Sequence, residues 1–277
     1  MDLIDTHQHL IHRDRLGYGW TAGIPALARG DFTIADYRAL TEGLGIVGTV
    51  FMESAVDDAD YQEEARLVAA LVGHEGMLGQ IASCRPETDE GFEAWLDEGE
   101  ALHVKGYRRV LHVMPDELSQ SETFRANLRK IGARGLPFDL CVLPRQLPLA
   151  EALARACDGM PLVLDHCGVP DIAGGAFEPW AQGIDALARL PHVRCKISGL
   201  TAYAGPGATA ATLRPWVDHV LNRFGPDRCL WGGDWPVVNL GAGLPEWIAM
   251  TRELLASFSA EERARVGTGT ARAVYRI

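Results

Sequence analysis

The stretch Leu3-Ile4-Asp5-Thr6-His7-Gln8-His9 is a short run with apolar residues at its start and imidazoles at its end. Similar apolar, β-branched runs return along the chain, and several of them also end in a polar side chain. Such runs alternate with longer segments of helical spacing, which is typical of repeated βα units around a parallel sheet. The strand candidates are Leu3–His9, Val47–Glu53, Leu78–Ser83, Val104–Leu111, Pro137–Val142, Leu162–His166, Val193–Ser198 and Cys229–Asp234.

Helical patterns lie between these runs and after the last of them. Eight βα units predict one closed TIM (β/α)8 barrel over residues 1–277, since about 250 residues is typical for that fold. An open doubly wound sheet is the alternative, but it would want a glycine-rich phosphate loop after the first strand, where the chain reads THQHLIHRD. The predicted helices are Thr33–Leu44, Asp60–Val72, Glu90–Ala101, Ser121–Gly132, Leu147–Ala156, Trp180–Leu190, Thr212–Phe224, Pro245–Phe258 and Ala260–Tyr275.

Composition excludes several classes of partner. The formal net charge of −11 repels phosphate backbones and anionic lipid, so we expect neither nucleic-acid nor membrane binding. The first residues, MDLIDTHQHL, do not resemble a signal peptide. The six cysteines are scattered, and we expect them to be reduced and buried in a cytoplasmic protein. A small molecule is therefore the expected partner, and a homo-oligomer stays open.

His7 and His9 are two residues apart, so on a strand they point to the same face. At the carboxyl end of a barrel strand, where barrel active sites lie, two imidazoles can hold one divalent ion. A lone histidine is usually an ordinary core or surface residue, but a pair at this position predicts a metal site.

Two carboxylates also end apolar runs, Glu53 on the second strand and Asp234 on the eighth. A carboxylate in such a place is costly unless it is paired, bound to metal or solvated. Strand two lies beside strand one, so Glu53 is expected near the histidine pair, either on a metal or in water at the mouth. Asp234 follows Gly232-Gly233 and can bind metal or accept a proton from water.

Three further polar residues are placed by strand parity. Arg108 or its neighbour Arg109 should face the barrel interior, either to clamp a substrate oxygen or to form an ion pair. Lys196 can contact substrate or form a salt bridge inside the barrel. His166 ends a continuous apolar run, as an acid, a base or a metal ligand would.

The residue next to His166, Asp165, has the opposite parity and is expected to face the outer layer. No GxSxG nucleophile elbow occurs in the chain, so an acyl-enzyme route is disfavoured.

With His7-Gln8-His9, LDHCG around His166 and GGDWP around Asp234, the chain resembles the amidohydrolase superfamily. It is most similar to the branch of sugar lactonases and 2-pyrone-4,6-dicarboxylate lactonase, and KISGL at residues 196–200 belongs to the same resemblance. The resemblance implies that Asp234 is the general base and that His7, His9 and His166 surround the scissile carbonyl. It also implies that Arg108 and Lys196 contact the substrate.

One departure from the superfamily concerns the metal. Many members carry a metal-binding histidine at the end of strand five, where this chain reads Phe138-Asp139-Leu140-Cys141-Val142. Strand adjacency suggests that Glu53 compensates. The predicted metal set is therefore His7, His9, Glu53 and Asp234, around a divalent ion such as zinc that the reaction either needs or can dispense with.

The function predicted from these residues is hydrolysis of a cyclic ester, an aldonolactone, by water that Asp234 activates. Two alternatives are a metal-dependent decarboxylase of the same branch and an inactive barrel that serves as a binding module. The missing strand-five histidine counts against the decarboxylase, and the polar strand ends count against the inactive barrel.

Overall fold

Eight parallel strands form a barrel in the computed structural model, which describes residues 1–28 and 30–277. They pair in chain order from the first to the eighth. The barrel closes where Gln8 bridges to Trp235, just beyond the last strand. The predicted TIM barrel is therefore confirmed. The strands are β1 (Leu3–Gln8), β2 (Ile46–Met52), β3 (Met77–Ser83), β4 (Val104–Val110), β5 (Phe138–Cys141), β6 (Leu162–Leu164), β7 (Val193–Ile197) and β8 (Cys229–Trp231).

Helices surround the sheet, and several of them begin where the sequence predicts. Thr33 caps α1 by accepting a hydrogen bond from Asp36 N at 3.2 Å, and Ser121 caps α4 in the same way. The α-helices of the described residues are α1 (Ile34–Thr41), α2 (Tyr61–Ala69), α3 (Phe92–Ala101), α4 (Glu122–Ala133), α5 (Leu147–Ala156), α6 (Phe177–Ala188), α7 (Leu200–Ala204), α8 (Ala210–Phe224), α9 (Leu244–Leu254), α10 (Ala260–Ala264) and α11 (Thr270–Tyr275).

Several boundaries differ from the expectation. Strand β6 stops at Leu164 and β8 at Trp231, two and three residues earlier than predicted, because the backbone leaves the extended conformation there. The predicted helix over 260–275 is divided by a π-helical turn, Arg265–Gly269. Within that turn Gly267 approaches the start of β1 so closely that a Cβ would lie 2.5 Å from the Asp2 carbonyl oxygen. The short helix α7 has no counterpart among the predicted helices.

An apolar cluster lies in the barrel interior. Ile4, Val50, Met52 and Ile81 pack there with Val163 and Leu230, and Tyr275 of α11 packs against the same cluster. A second, larger core lies between the sheet and the helices. The polar residues that follow the strands lie at the carboxyl end of the barrel, which is where barrel enzymes place their active sites.

Asp5 fastens the two edges of the barrel together. Its Oδ1 accepts hydrogen bonds from His7 N at 2.9 Å and from Gly233 N at 2.7 Å, and its Oδ2 accepts one from the Tyr37 hydroxyl at 2.6 Å. A Cβ at Gly233 would lie 2.3 Å from Asp5 Oδ2, so glycine is required at that position. These bonds fix β1 against the segment that carries Asp234.

Two smaller expectations concern the chain as a whole. All six cysteines are buried and free. Among the described residues, no helix combines the length and the apolar character that a membrane crossing needs.

Candidate active site

The ends of β1 and β8 bring His7, His9 and Asp234 together. Asp234 Oδ1 lies 3.5 Å from His9 Nε2 and 3.9 Å from His7 Nε2. The backbone fixes this geometry, because Asp234 N donates to the His7 carbonyl and His9 N donates to the Trp235 carbonyl, both at 2.8 Å. Asp234 itself has a left-handed backbone with φ 58°. Asp234 thus shares one buried cluster with His7 and His9, which lie 225 or more positions earlier in the chain.

His166 joins this cluster by a route that strand parity did not predict. Beyond Leu164 the chain turns, and His166 and Cys167 take left-handed backbone angles with φ 52° and 53°. This turn carries the His166 ring to 4.3 Å from the His7 ring, centroid to centroid. Its Nδ1 lies 2.9 Å from Ser198 Oγ, which fixes the orientation of the imidazole.

The expectation that Asp165 faces the outer layer is wrong. Val163 lies in the barrel interior, and Asp165 continues that parity inward. Its Oδ1 is 3.0 Å from Lys196 Nζ and 3.5 Å from His7 Nδ1, and its Oδ2 is 3.3 Å from Arg108 Nη1. Asp165 therefore binds two buried cations beneath the cluster. A carboxylate inside the apolar LVLDH run was the signal that could have identified it.

Arg108 faces the interior and binds Glu53. Its Nε donates to Glu53 Oε1 and its Nη2 to the Glu53 carbonyl, both at 2.6 Å. Its Nη1 donates to His7 Nε2 at 3.1 Å. Arg109 points instead toward Glu87, to which its Nη2 donates at 2.7 Å. Strand parity did not decide whether Arg108 or Arg109 faces the barrel interior, and the structure shows that it is Arg108.

Glu53 lies at the mouth as expected, but among the described residues it belongs to neither group of side chains whose donor atoms converge as metal ligands would. One carboxylate oxygen accepts from Arg108 and the other from Ala55 N at 2.9 Å. Both oxygens of Glu53 therefore already accept hydrogen bonds. Strand adjacency suggested Glu53 as a compensating metal ligand, but in the structure it is an ion-pair partner of Arg108.

Lys196 is fully buried below the cluster and does not line the cavity at the mouth. Its Nζ lies 2.6 Å from Asp139 Oδ2 and 3.0 Å from Asp165 Oδ1. Tyr275 donates its hydroxyl hydrogen to the same Asp139 oxygen at 2.8 Å. Of the two roles considered for Lys196, the geometry corresponds to the salt bridge inside the barrel and not to substrate contact.

Burial and these ion pairs set the charge states. Burial lowers the pKa of His7 well below its usual value and also lowers the pKa of His166, so both imidazoles are neutral at neutral pH. Burial alone would raise the pKa of Glu53, but the neighbouring Arg108 guanidinium holds it below the ordinary value. Burial alone would also raise the pKa of Asp165. The neighbouring charges, chiefly Lys196, outweigh burial and hold the pKa of Asp165 well below its usual range.

The donor set of His7, His9 and Asp234 fits a divalent ion. One ligand atom from each lies within 4.8 Å of the others. His9 Nδ1 donates to the Met52 carbonyl at 2.9 Å, and the other ring nitrogen, Nε2, is directed toward Asp234. Asp234 Oδ2 is buried and has no hydrogen-bond partner among the described residues. Two nitrogens and a carboxylate are ligands that zinc and similar ions accept.

A second group, formed by His7, Asp165 and His166, has comparable spacing. It is less suited to a cation, because the Asp165 carboxylate already faces both Lys196 and Arg108. The site that can hold a divalent ion is therefore the one at the ends of β1 and β8.

A cavity of about 500 Å³ opens above the cluster. Its floor includes His9, Arg108, His166 and Asp234. The remaining lining residues are Trp20, Ile24, Glu53, Ser54, Ala55, Val56, Asp58, Ser83, Arg85, Arg109, Val110, His112, Val113, Cys141, Tyr203, Val237 and Leu240. The polar floor and the largely apolar walls are typical of a site for one small organic molecule.

Known proteins resemble the chain over its whole length. The family model described as amidohydrolase matches residues 4–277. An L-fucono-1,5-lactonase of Burkholderia ambifaria is 31% identical over 291 residues, which cover 99% of this chain and 95% of the relative. The L-fucono-1,5-lactonase of Burkholderia multivorans is also 31% identical, with coverage of 99% and 96%.

A solved amidohydrolase structure from Burkholderia multivorans, with bound zinc, superposes with a TM-score of 0.89. The identity is 28%, and the comparison covers 100% of each chain. The likeness thus includes the whole barrel and the strand ends that carry the site.

Proposed function

The chain belongs to the amidohydrolase family and is a hydrolase, and on that basis we propose that it hydrolyses sugar-acid lactones with Asp234 as the general base. The observation that carries the proposal is the state of Asp234. Its side chain lines the cavity, its Oδ1 faces two imidazoles, and its Oδ2 has no hydrogen-bond partner among the described residues. A carboxylate with a free oxygen at the floor of a cavity is placed to accept a proton from a water molecule.

The reaction requires one water and one ester bond. The Asp234 carboxylate accepts a proton as the water oxygen attacks the lactone carbonyl carbon. The C–O bond to the ring oxygen then breaks, and Asp234 returns the proton to that oxygen. The product is the open hydroxy acid, and the carboxylate is regenerated.

His166 supplies a neutral donor for the carbonyl oxygen. In the tautomer in which Ser198 donates to its Nδ1, Nε2 carries the hydrogen and can stabilise the developing negative charge. Arg108 adds a second donor. Four of its five N–H groups are engaged by Glu53, His7 and Asp165, and one on Nη2 is left for the substrate.

His7, His9 and Asp234 would hold the divalent ion, and we propose zinc because two imidazoles and a carboxylate suit it. When bound, zinc supplies a Lewis acid that polarises the carbonyl and lowers the pKa of water. The relative with bound zinc supports this choice of metal.

Substrate size follows from the cavity and substrate class from the relatives. About 500 Å³ accommodates a single sugar-sized ring. Two relatives that cover nearly the whole chain are L-fucono-1,5-lactonases. No observation favours the decarboxylase over the lactonase.

A panel of aldonolactones of both ring sizes, followed with a pH indicator, tests the proposal. A lactonase releases one acid equivalent per lactone opened, above the spontaneous rate. A parallel measurement of carbon dioxide release from aromatic carboxylates distinguishes the decarboxylase. Absence of acid release from every lactone, with an intact fold, would contradict the proposed function.

A further inference from the structure

His112 stands on the side of the cavity opposite the general base. It follows β4 at the cavity wall, and Cys141 ends the neighbouring strand β5. In a closed barrel of eight strands paired in chain order, β4 lies across the barrel from β8, whose end carries Asp234. A ring whose carbonyl lies at Asp234 therefore extends toward His112.

Two contacts hold His112 in place. Its backbone N donates to the Cys141 carbonyl at 3.1 Å, and its Nδ1 lies 3.2 Å from Cys141 Sγ. Burial, with the nearby Arg108 charge, lowers the pKa of His112 to about 4, and burial raises the pKa of the Cys141 thiol. Both groups are neutral at neutral pH. In the tautomer in which the thiol donates its hydrogen to Nδ1, Nε2 carries the hydrogen of the imidazole.

Nε2 of His112 is available to a ligand. It makes no hydrogen bond to any described residue, and it is not among the enclosed polar atoms of that part of the chain. Val110, Val113, Val237 and Leu240 supply apolar lining to the same cavity. The imidazole is thus a neutral donor in a mainly apolar environment.

The arginines of the cavity wall, Arg85 and Arg109, already have acidic partners. Arg109 binds Glu87 at 2.7 Å, and Arg85 binds Asp58 at 2.7 Å. A carboxylate on the ring would have to compete with these acidic partners. A neutral hydroxyl suits a neutral donor better, since it can accept from Nε2 without desolvating a charge.

We propose that His112 binds a ring hydroxyl remote from the scissile carbonyl, and that this contact makes the enzyme selective for uncharged, hydroxylated lactones. The inference rests on the proposed lactone hydrolysis and adds the residue that selects a hydroxylated ring. His112 is a specificity-determining residue here and takes no part in proton transfer to or from the reacting ester.

The test compares glucono-1,5-lactone with δ-valerolactone, which has the same ring size and no hydroxyl groups. His112→Phe should lower the ratio of their kcat/KM values by about three- to tenfold, as expected for one neutral hydrogen bond. His112→Gln keeps a neutral donor and should retain most of the ratio. Melting temperatures of both variants check that each is folded.

The outcomes separate this inference from the proposed function. If the parent enzyme opens both lactones and His112→Phe slows both by the same factor, the specificity role is wrong and the hydrolase stands. If His112→Gln behaves like His112→Phe, the effect is one of packing, and the inference is again wrong. If the parent opens neither these lactones nor any other hydroxylated lactone, the proposed function and the inference both fail.

Discussion

His9 Nε2 faces Asp234 Oδ1 at 3.5 Å, and both are acceptor atoms when His9 is neutral. The other ring nitrogen of His9 donates to the Met52 carbonyl, so it cannot supply the missing hydrogen. Two lone pairs at this distance in a buried site repel each other unless a cation or a proton lies between them. The relationship joins the two proposals made for this site, a bound divalent ion and a carboxylate that exchanges protons.

The ion site predicts metal content in the purified protein. We expect zinc at less than full occupancy, because Arg108 already donates to the lone pair of His7 Nε2. The double variant His7→Ala, His9→Ala should contain almost none by elemental analysis. The exposed pair His74→Ala, His103→Ala is the matched control and should retain the parent content. Equal metal in both double variants would place the ion elsewhere.

Competition between Arg108 and the ion predicts a second change. Arg108→Lys keeps a positive charge for Glu53 but removes the planar donor that reaches His7. We expect zinc to bind about tenfold more tightly, the value of a hydrogen bond from a charged donor. Titration against a chromogenic chelator measures the change, with Arg109→Lys as the control. Unchanged or weaker binding would mean that Arg108 does not oppose the ion.

Gly199 gives the side chains of His166 and Asp234 room. A Cβ there would lie 2.7 Å from His166 Nδ1 and 3.0 Å from Asp234 Oδ2. Gly199→Ala should reduce kcat/KM by about a hundredfold, because displacement of about 1 Å has that cost. Gly207 has a similar left-handed backbone, with φ 83° and no atom near its Cβ position. Gly207→Ala therefore reproduces the backbone strain alone. Similar losses in both variants would assign the effect to strain.

Glu64 predicts a pH dependence of stability. Burial, with the neighbouring Glu53 charge, raises its pKa from 4.5 to about 8, so the folded state binds its proton more tightly than the unfolded state does. Its contribution to the free energy of unfolding is therefore full below pH 4.5 and is lost as the pH rises toward 8.

Glu64→Gln removes the titration and keeps a neutral acceptor for Ser54 N. Urea unfolding at pH 5, 7 and 9 should show the parent losing stability relative to this variant as the pH rises. Parallel pH profiles for the two proteins would contradict the assignment.

Much of the fold and part of the site could be predicted from local sequence. His7 and His9 share a face because they are two apart, although Ile4 lies in the interior and strict alternation from it would turn His7 outward. An irregularity in the β1–β2 pairing between Asp5 and Gln8 accompanies the change of parity. The two-residue spacing correctly predicted that His7 and His9 share a face, because the change of parity occurs before both histidines.

The positions of Asp165 and Lys196 could not be predicted in this way. Asp165 keeps the inward parity of Val163, and His166 reaches the mouth beyond the end of β6 through a left-handed turn that non-glycine residues rarely adopt. The role of Lys196 depends on Asp139 and Asp165, which belong to other βα units. Such ion pairs depend on the register of neighbouring strands, which no single segment specifies.

Asp234→Asn tests the central claim most directly, measured as kcat/KM on the lactone that the parent opens fastest. The amide keeps the shape of the side chain but cannot accept the proton of the attacking water. We predict a loss of about 10²–10⁴-fold, the usual contribution of a general base, with an unchanged melting temperature. Asp227→Asn, at an exposed carboxylate paired with Arg265 outside the cavity, is the control and should keep the parent rate. A folded Asp234→Asn enzyme within a few-fold of the parent rate would contradict the account, because another group would then be the base.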